Sequence, residues 1–180
     1  MDVQEYKQPD KPVQLLGLTI TKTSFICKHI PKQVAKAKLA LGNIRRFHSL
    51  PIKLKLGLVK SLVLTHLFYP PIPLHLASKH LMLKLQAVQN QALRWVYNIK
   101  WDEFITNKRI HKKYNIRTVN QELYWRAKST WDKIQNNNAA DAATVKKLKD
   151  MDYHSNKQHS YFRSSIEATE NPEPPPLYER

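Results

Sequence analysis

Cysteine is almost missing from the sequence, since Cys27 is the only one among 180 residues. A chain with one cysteine forms no intrachain disulfide and no cysteine-based zinc knuckle, which points to a reducing compartment, cytoplasmic or nuclear, and not to secretion. No apolar run approaches the roughly 20 residues that a membrane-spanning helix needs, and the polar first residues do not resemble a signal peptide. We therefore expect no membrane partner.

Glycine and carboxylates are scarce as well. Three glycines in the whole chain disfavour phosphate-cradling glycine loops and turn-dense β sandwiches. Residues 31–135 hold only four acids, two of them adjacent, so no carboxylate pair is available for acid–base or two-metal chemistry. The eight histidines are scattered, and Cys27 beside His29 lacks a third orienting group. We expect no catalytic residue, metal site or cofactor in this chain.

Positive charge, in contrast, is in large excess and concentrated in the middle of the chain. The formal net charge is +16, and residues 31–135 alone hold 20 Lys and Arg against four Asp and Glu. Residues 1–30 and 136–180 have net charges of only +1 and −1. All four tryptophans also lie in the middle part, so the basic part is the part that folds. This distribution favours a polyanionic partner, nucleic acid first, over a lysine-rich surface that binds only solvent.

Hydrophobic periodicity predicts a mainly α fold, in which a short N-terminal strand or hairpin precedes a bundle of about five helices. Residues 13–21 carry the one strong strand signal. Pro31 and Pro51 are each expected at the first position of a helix, where the missing N–H costs nothing. The first helix is expected to bury Val34, Ala37, Leu41 and Ile44; the second is expected to bury Leu54, Leu58, Val59, Leu62 and Val63, with Lys53, Lys55 and Lys60 outside.

Three more helices are predicted after the proline-rich turn at residues 69–73. The longest begins after Ser78, a short one lies around residues 105–114, and the last covers residues 119–135 behind a capping box of Thr118 and Gln121. The expected buried positions are Leu81, Leu85, Val88, Ala92 and Trp95 or Val96 in the longest helix, and Leu123, Ala127, Trp131 and Ile134 in the last.

The sequence after residue 135 has a different composition. We expect residues 136–180 to be a mostly disordered, proline-containing tail that is dispensable for folding. Residues 175–178 have the Pro-Pro-x-Tyr form that WW domains read, although so short a match in a proline-rich tail also arises by chance. The expected organisation is therefore a leader with a strand or hairpin at 1–30, a basic helical module at 31–135 and the tail at 136–180.

Several short motifs occur in a familiar order. In chain order they are Leu16-Gly17 in the strand, His29-Ile30 before the lysine-rich helix, Thr65-His66 at the end of the second helix, Ala77-Ser78 before the third helix, and a short element at 107–111. The most specific signal is Leu-Gln-x-Val-Gln-Asn-x-Ala-Leu-Arg at residues 85–94, between Ala77-Ser78 and the element at 107–111. Together these features resemble the downstream end of reverse transcriptases from jockey-like non-LTR (LINE-type) retrotransposons. The resemblance covers about residues 13–135.

The resemblance implies a position in a polymerase. Leu16 and Gly17 would be primer-grip-like, with the glycine backbone close to the primer end, although a buried strand with a bulge is the ordinary alternative. The helices would form a thumb that follows the template–primer duplex. Binding through phosphates would be salt-sensitive and independent of sequence. The expected nucleic-acid-binding residues are Lys32, Lys36, Lys38, Arg45, Arg46, Lys53, Lys55 and Arg94.

The chain also departs from the family. The polymerase motif of an aromatic residue, alanine and two aspartates is missing, as are the fingers and the endonuclease domain. We therefore expect Mg²⁺ to bind only in the missing palm domain. The chain alone is expected to be inactive. Residues 68–73 replace the usual aromatic-Gly/Ala-Trp stretch, and the cysteine knuckle of some relatives is absent. A fragment whose frame begins in the palm-to-thumb connection accounts for this. Two rivals stay open: a basic scaffold or adaptor with the Pro-Pro-Leu-Tyr tail as its ligand, and a polymerase with its palm in trans.

Overall fold

The computed structural model of the chain describes residues 13–15, 18–20, 25–69, 77–100, 102–136 and 173–178. Two short strands, β1 (Val13–Leu15) and β2 (Leu18–Ile20), pair antiparallel with Leu15 opposite Leu18. Leu16 and Gly17, the primer-grip-like residues, lie outside the described residues, so their role stays a prediction.

Helices make up most of the described part, which confirms the predicted mainly α fold. They are α1 (Phe25–Ile44), α2 (Ile52–Leu58), α3 (Thr65–Phe68), α4 (Lys79–Val96), α5 (Asn107–Lys113) and α6 (Val119–Asn136). A 3₁₀ turn (Arg45–Phe47) follows α1, and a π-helical segment (Val59–Leu64) joins α2 to α3 without a break. The described residues therefore form five helical rods, of which the second runs from Ile52 to Phe68.

One hydrophobic core joins α1, the second rod, α4 and the start of α6. Its members include Ala37, Leu41 and Ile44 from α1, Val63 and Leu67 from the second rod, Leu85, Val88 and Ala92 from α4, and Leu123 from α6. The predicted stripe of α1 is confirmed, with Val34 half-buried at its edge, and so is the stripe of α4. In α6, Leu123 and Ala127 are buried as expected. The side chains of Trp131 and Ile134 lie outside the described residues.

Helix α1 begins six residues before the predicted start at Pro31. Pro31 lies inside the helix, where its ring removes one backbone hydrogen bond. The turn before it is stabilised by burial: Ile30 is fully buried, and His29 packs beside it, 3.1 Å from the Gln33 amide nitrogen. The prediction of a helix start at Pro31 was wrong because this tertiary burial outweighs the local preference of proline for a first turn.

The buried face of the second rod agrees with the predicted one only in part. Lys55, Val59, Val63 and Leu67 are buried, whereas Leu54 and Leu62 are 55% and 45% exposed. The predicted burial of Val59 and Val63 is confirmed, whereas the predicted exposure of Lys55 and burial of Leu54 and Leu62 were wrong. The buried positions are four residues apart, a spacing that drifts around an α-helix of 3.6 residues per turn but is kept in register by the wider π turn.

The predicted helix starts after the proline-rich turn are close to the observed ones. Ser78 occupies the N-cap of α4, and the Thr106 hydroxyl caps α5 by accepting from the Arg109 N–H. At α6, the Thr118 N–H donates to Oε1 of Gln121 at 3.3 Å, which confirms the backbone half of the capping box. The C-terminal ends of α4 and α5 are joined by the stacked rings of Tyr97 and Tyr114, whose centroids are 3.4 Å apart.

Most of the predicted disordered tail lies outside the described residues, but its segment 173–178 is described and contacts the helices. Leu177 packs against the core, and the carbonyl of Pro175 accepts a hydrogen bond of 2.7 Å from Nδ2 of Asn120. The Tyr178 ring lies tilted over His111, with centroids 5.6 Å apart. The Pro-Pro-Leu-Tyr segment is thus placed on the face formed by α5 and α6.

Candidate nucleic-acid interface

The outer face of α1 carries most of the predicted phosphate-binding residues. Lys32, Lys36 and Lys38 are exposed on the helix, and Arg45 and Arg46 are exposed on the 3₁₀ turn that continues it. They point outward because the buried stripe occupies the opposite side of the helix. From Lys32 to Arg46 the helix axis advances by about 20 Å, which matches the rise of roughly six base pairs of duplex DNA.

The segment that forms α1 and the second rod is strongly basic in sequence. Residues 25–68, which form α1 and the second rod, contain nine Lys and Arg and no Asp or Glu. Lys53 is exposed on α2 and extends the same uncompensated stretch. Helix faces that only face solvent normally alternate both signs of charge, so this single-sign surface is typical of a protein with a polyanionic ligand.

Two predicted binding residues have structural roles instead. Lys55 is fully buried, and its Nζ donates to Oδ1 of Asn98 at 2.6 Å. The same Nζ lies 5.4 Å from the centroid of a Trp95 ring. Arg94 is half-buried, donating from Nη2 to the Ile105 carbonyl and from Nε to Oδ1 of Asn107 at 3.4 Å. Arg94 thereby ties α4 to the loop before α5. The structure thus leaves six of the eight predicted residues on the surface.

A second cationic cluster was missed by the sequence reasoning. Glu122 on α6 accepts from Nε of Arg126 at 2.9 Å, and its other oxygen lies 3.9 Å from Nη1 of Arg117. Lys60 of the π segment lines the same cavity. The spacing of four residues from Glu122 to Arg126 is a readable helical ion-pair signal, but no local pattern joins Lys60 to α6.

A buried polar network between α4, α5 and α6 was also missed. The Gln86 amide nitrogen lies 2.8 Å from both Oε1 of Gln89 and Oδ1 of Asn90, and its carbonyl oxygen accepts from the Val119 N–H at 2.8 Å. His111 lies at its centre, with Nε2 3.2 Å from the Gln86 amide nitrogen. Three of these residues belong to the 85–94 run that carries the family resemblance. Uncharged amides at i, i+3 and i+4 inside an apolar helix were the available signal.

Burial governs the titration of two histidines. Desolvation lowers the pKa of His111 below 6.5, partly offset by the Ile116 carbonyl 2.8 Å from Nδ1. Burial likewise lowers the pKa of His29, and the charges of Lys36 and Lys32 lower it further. Both histidines are therefore fixed in the neutral form by their packing near neutral pH.

Neither metal chemistry nor a membrane span is indicated by the described residues. Within the described ranges, no three His, Cys, Asp or Glu side chains lie close enough together to hold a metal ion. Among the helices of those ranges, none is long and apolar enough to cross a bilayer. Comparisons with protein-family models, with curated proteins and with solved structures find no match to this chain.

Proposed function

We propose that the basic helical module binds the template–primer duplex of a non-LTR reverse transcriptase as its thumb-like part. The observation that carries this proposal is the outer face of α1 and its 3₁₀ turn: five exposed cations over about 20 Å, in a stretch of 44 residues without a single carboxylate. The motifs at 85–94 and the order of the helices support the polymerase context.

Binding in this proposal is electrostatic and independent of base sequence. Each Lys or Arg that neutralises a phosphate releases condensed counterions, so the affinity falls linearly with salt on a logarithmic scale. Flexible lysine side chains on one helix follow a backbone without reading base edges, as a polymerase that copies any template requires. About five contacts correspond to a slope of roughly −4 to −5 on B-form DNA.

The chemistry of nucleotide addition is assigned to a palm domain that this chain does not contain. We expect the chain alone to show no primer extension with Mg²⁺ or Mn²⁺, because its basic module offers too few carboxylates to hold two metals. A palm supplied in trans is the version of the proposal in which the chain contributes to catalysis. Extension by the purified chain would contradict the assignment.

The proposal is tested with a matched pair of charge variants. The first changes Lys32, Lys36, Arg45 and Arg46 to Gln; the control changes Lys79, Lys84, Lys108 and Lys112, which are equally exposed on α4 and α5. Fluorescence anisotropy with duplex DNA and an RNA–DNA hybrid is recorded over a salt series. We expect the first variant to flatten the salt slope by about one unit per lost contact and the control to retain the slope. Equal losses in both variants would show that α1 is not a dedicated interface.

A second candidate function is a scaffold or adaptor that presents the Pro-Pro-Leu-Tyr segment to a WW domain. The specific observation in its favour is that residues 173–178 contact the helices, where the Pro175 carbonyl accepts from Nδ2 of Asn120. In this candidate function the segment stays bound to the helices until a WW domain binds it. The two candidates differ in salt dependence, because recognition of a proline-rich segment depends on aromatic grooves and not on phosphates.

A further inference from the structure

The cationic cluster missed by the sequence reasoning lines a cavity between the second rod and α6. This cavity of about 480 Å³ is lined in part by Lys60, Phe68, Arg117 and Arg126. An adjoining cavity of about 350 Å³ shares Lys60, Phe68 and Arg126 and adds Tyr69. We call the two together the α3–α6 cleft. Its larger part lies within the range of about 300 to 1,000 Å³ in which small-molecule sites fall.

The charge of the cleft selects an anion. Lys60, Arg117 and Arg126 supply three positive charges, and Glu122 is the one carboxylate among the lining residues of both cavities. Glu122 is shared between the two guanidinium groups, at 2.9 Å from Arg126 and 3.9 Å from Arg117, so a net charge of +2 is left in the cleft. A dianionic phosphate matches that charge, and guanidinium groups are suited to it by their planar fork of donors.

The guanidinium groups of the two arginines also lie over aromatic rings. Cζ of Arg126 lies 4.6 Å from the ring centroid of Phe68, and Cζ of Arg117 lies 5.1 Å from a ring of Trp125. Phe68 is 4% exposed whereas the Arg126 side chain is 53% exposed, and both residues line the two cavities of the cleft. Nucleobases stack on guanidinium planes and on aromatic rings, and Tyr69, 53% exposed, adds a ring at the second cavity.

From this combination we infer that the α3–α6 cleft binds a phosphorylated nucleoside. The phosphate lies against Lys60 and Arg117, and the base stacks on Arg126 beside Tyr69. A simple anion site needs no flat surface and a simple aromatic site needs no net charge, whereas a nucleotide uses both. The same chemistry comes from a free mononucleotide or from an unpaired terminal nucleotide of a strand; only the second source rests on the proposed function.

Titration of the full-length chain with AMP, adenosine and inorganic phosphate tests the inference, with binding measured by calorimetry. We expect AMP to bind at least about tenfold tighter than either part alone, because base stacking and phosphate contact both add to its affinity. Lys60→Gln should weaken AMP and phosphate alike. Arg126→Lys keeps the charge but loses the flat surface, so it should weaken AMP by at least about fivefold and leave phosphate nearly unchanged. Lys112→Gln, on the exposed side of α5, is the control and should change neither.

Failure of this site is separable from failure of the proposed duplex binding. AMP binding should survive the fourfold α1 variant, in which duplex binding is lost. To distinguish the two sources, a duplex with one unpaired 3′ nucleotide is compared with a blunt duplex. If the first duplex binds more tightly and AMP displaces it, the ligand is the strand end. If both duplexes bind equally, the ligand is the free nucleotide. Absence of saturable AMP binding, or AMP binding that ignores Lys60→Gln and Arg126→Lys, would overturn the inference.

Discussion

Nζ of Lys55 donates to Oδ1 of Asn98 across 2.6 Å, and this contact joins the start of the second rod to the end of α4. Lys55 is fully buried, and Asn98 has a left-handed backbone with φ of 54°. Asparagine tolerates that conformation better than most residues, and here its side chain also provides the acceptor for the buried ammonium. The pair is therefore a polar connection inside an otherwise apolar contact.

We predict that the two residues are coupled in stability. Lys55→Met keeps the apolar stem and should change the free energy of unfolding by less than about 1 kcal/mol. Asn98→Gly keeps the backbone conformation but leaves the ammonium without its acceptor, which should cost about 1 to 3 kcal/mol. In the double variant most of that cost should disappear, as measured by urea unfolding in a double-mutant cycle. Strictly additive effects would mean that the bond contributes nothing.

Stability should depend on pH through the buried histidines. The pKa of His111 is lowered in the fold, so the unfolded chain takes up protons first as the pH falls below 6.5. The stabilising contribution is therefore complete above pH 6.5 and is lost as the pH falls from there through the lower pKa of the folded state. His29 acts in the same direction. The urea concentration at the midpoint of unfolding should therefore decrease as the pH is lowered from 7.5 to 5.

Variants assign this pH dependence to its source. His111→Gln removes one titrating group and should flatten the curve, although it lowers stability at pH 7.5 by breaking the contacts to Gln86 and Ile116. A curve that stays equally steep in His111→Gln would assign the titration elsewhere.

The contact made by the C-terminal segment should have a measurable share in stability, contrary to the expectation that the tail is dispensable. Asn120 is oriented by the Thr118 hydroxyl, which donates to its Oδ1 at 2.6 Å, so its Nδ2 is positioned for the Pro175 carbonyl. Removal of the apolar contact in Leu177→Ser should cost about 1 to 2 kcal/mol. Pro176→Ala, at an exposed position, is the control and should cost much less. A melting temperature unchanged by Leu177→Ser would show that the segment does not hold to the helices in solution.

The same variant distinguishes a masked from an open WW ligand. Leu177 and Tyr178 are both partly buried against the helices, so binding of a WW domain requires the segment to leave them. We expect a peptide of residues 170–180 to bind a WW domain at least about tenfold tighter than the full chain. Leu177→Ser lies at the variable position of the motif, so it should strengthen binding by the full chain and hardly affect the peptide. Equal affinities of chain and peptide would mean that the ligand is not masked.

The sequence predicted those features of the fold that depend on residues close together in the chain. The stripes of α1 and α4 and the capping box at Thr118 follow from spacing and side-chain type, and the structure confirms them. Burial of Lys55 could not be read, because it depends on an acceptor 43 residues away and on a π turn within its rod. The α3–α6 cleft was equally hidden, since its lining comes from segments far apart in sequence.

The π turn has a consequence for how the chain tolerates insertions and deletions. In an uninterrupted α-helix, Lys55 and Leu67, twelve residues apart, would differ by about 120° around the axis. One residue removed from Val59–Leu64 would leave Lys55 and Leu67 eleven positions apart, which differ by only about 20° in a regular α-helix, so the shortened rod would keep Lys55 on the buried face. A rod of unchanged length without the π turn would instead rotate Lys55 by about 120° and exchange a structural lysine for a surface lysine. The phase of this helix, and not only its composition, decides how many positive charges the molecule presents.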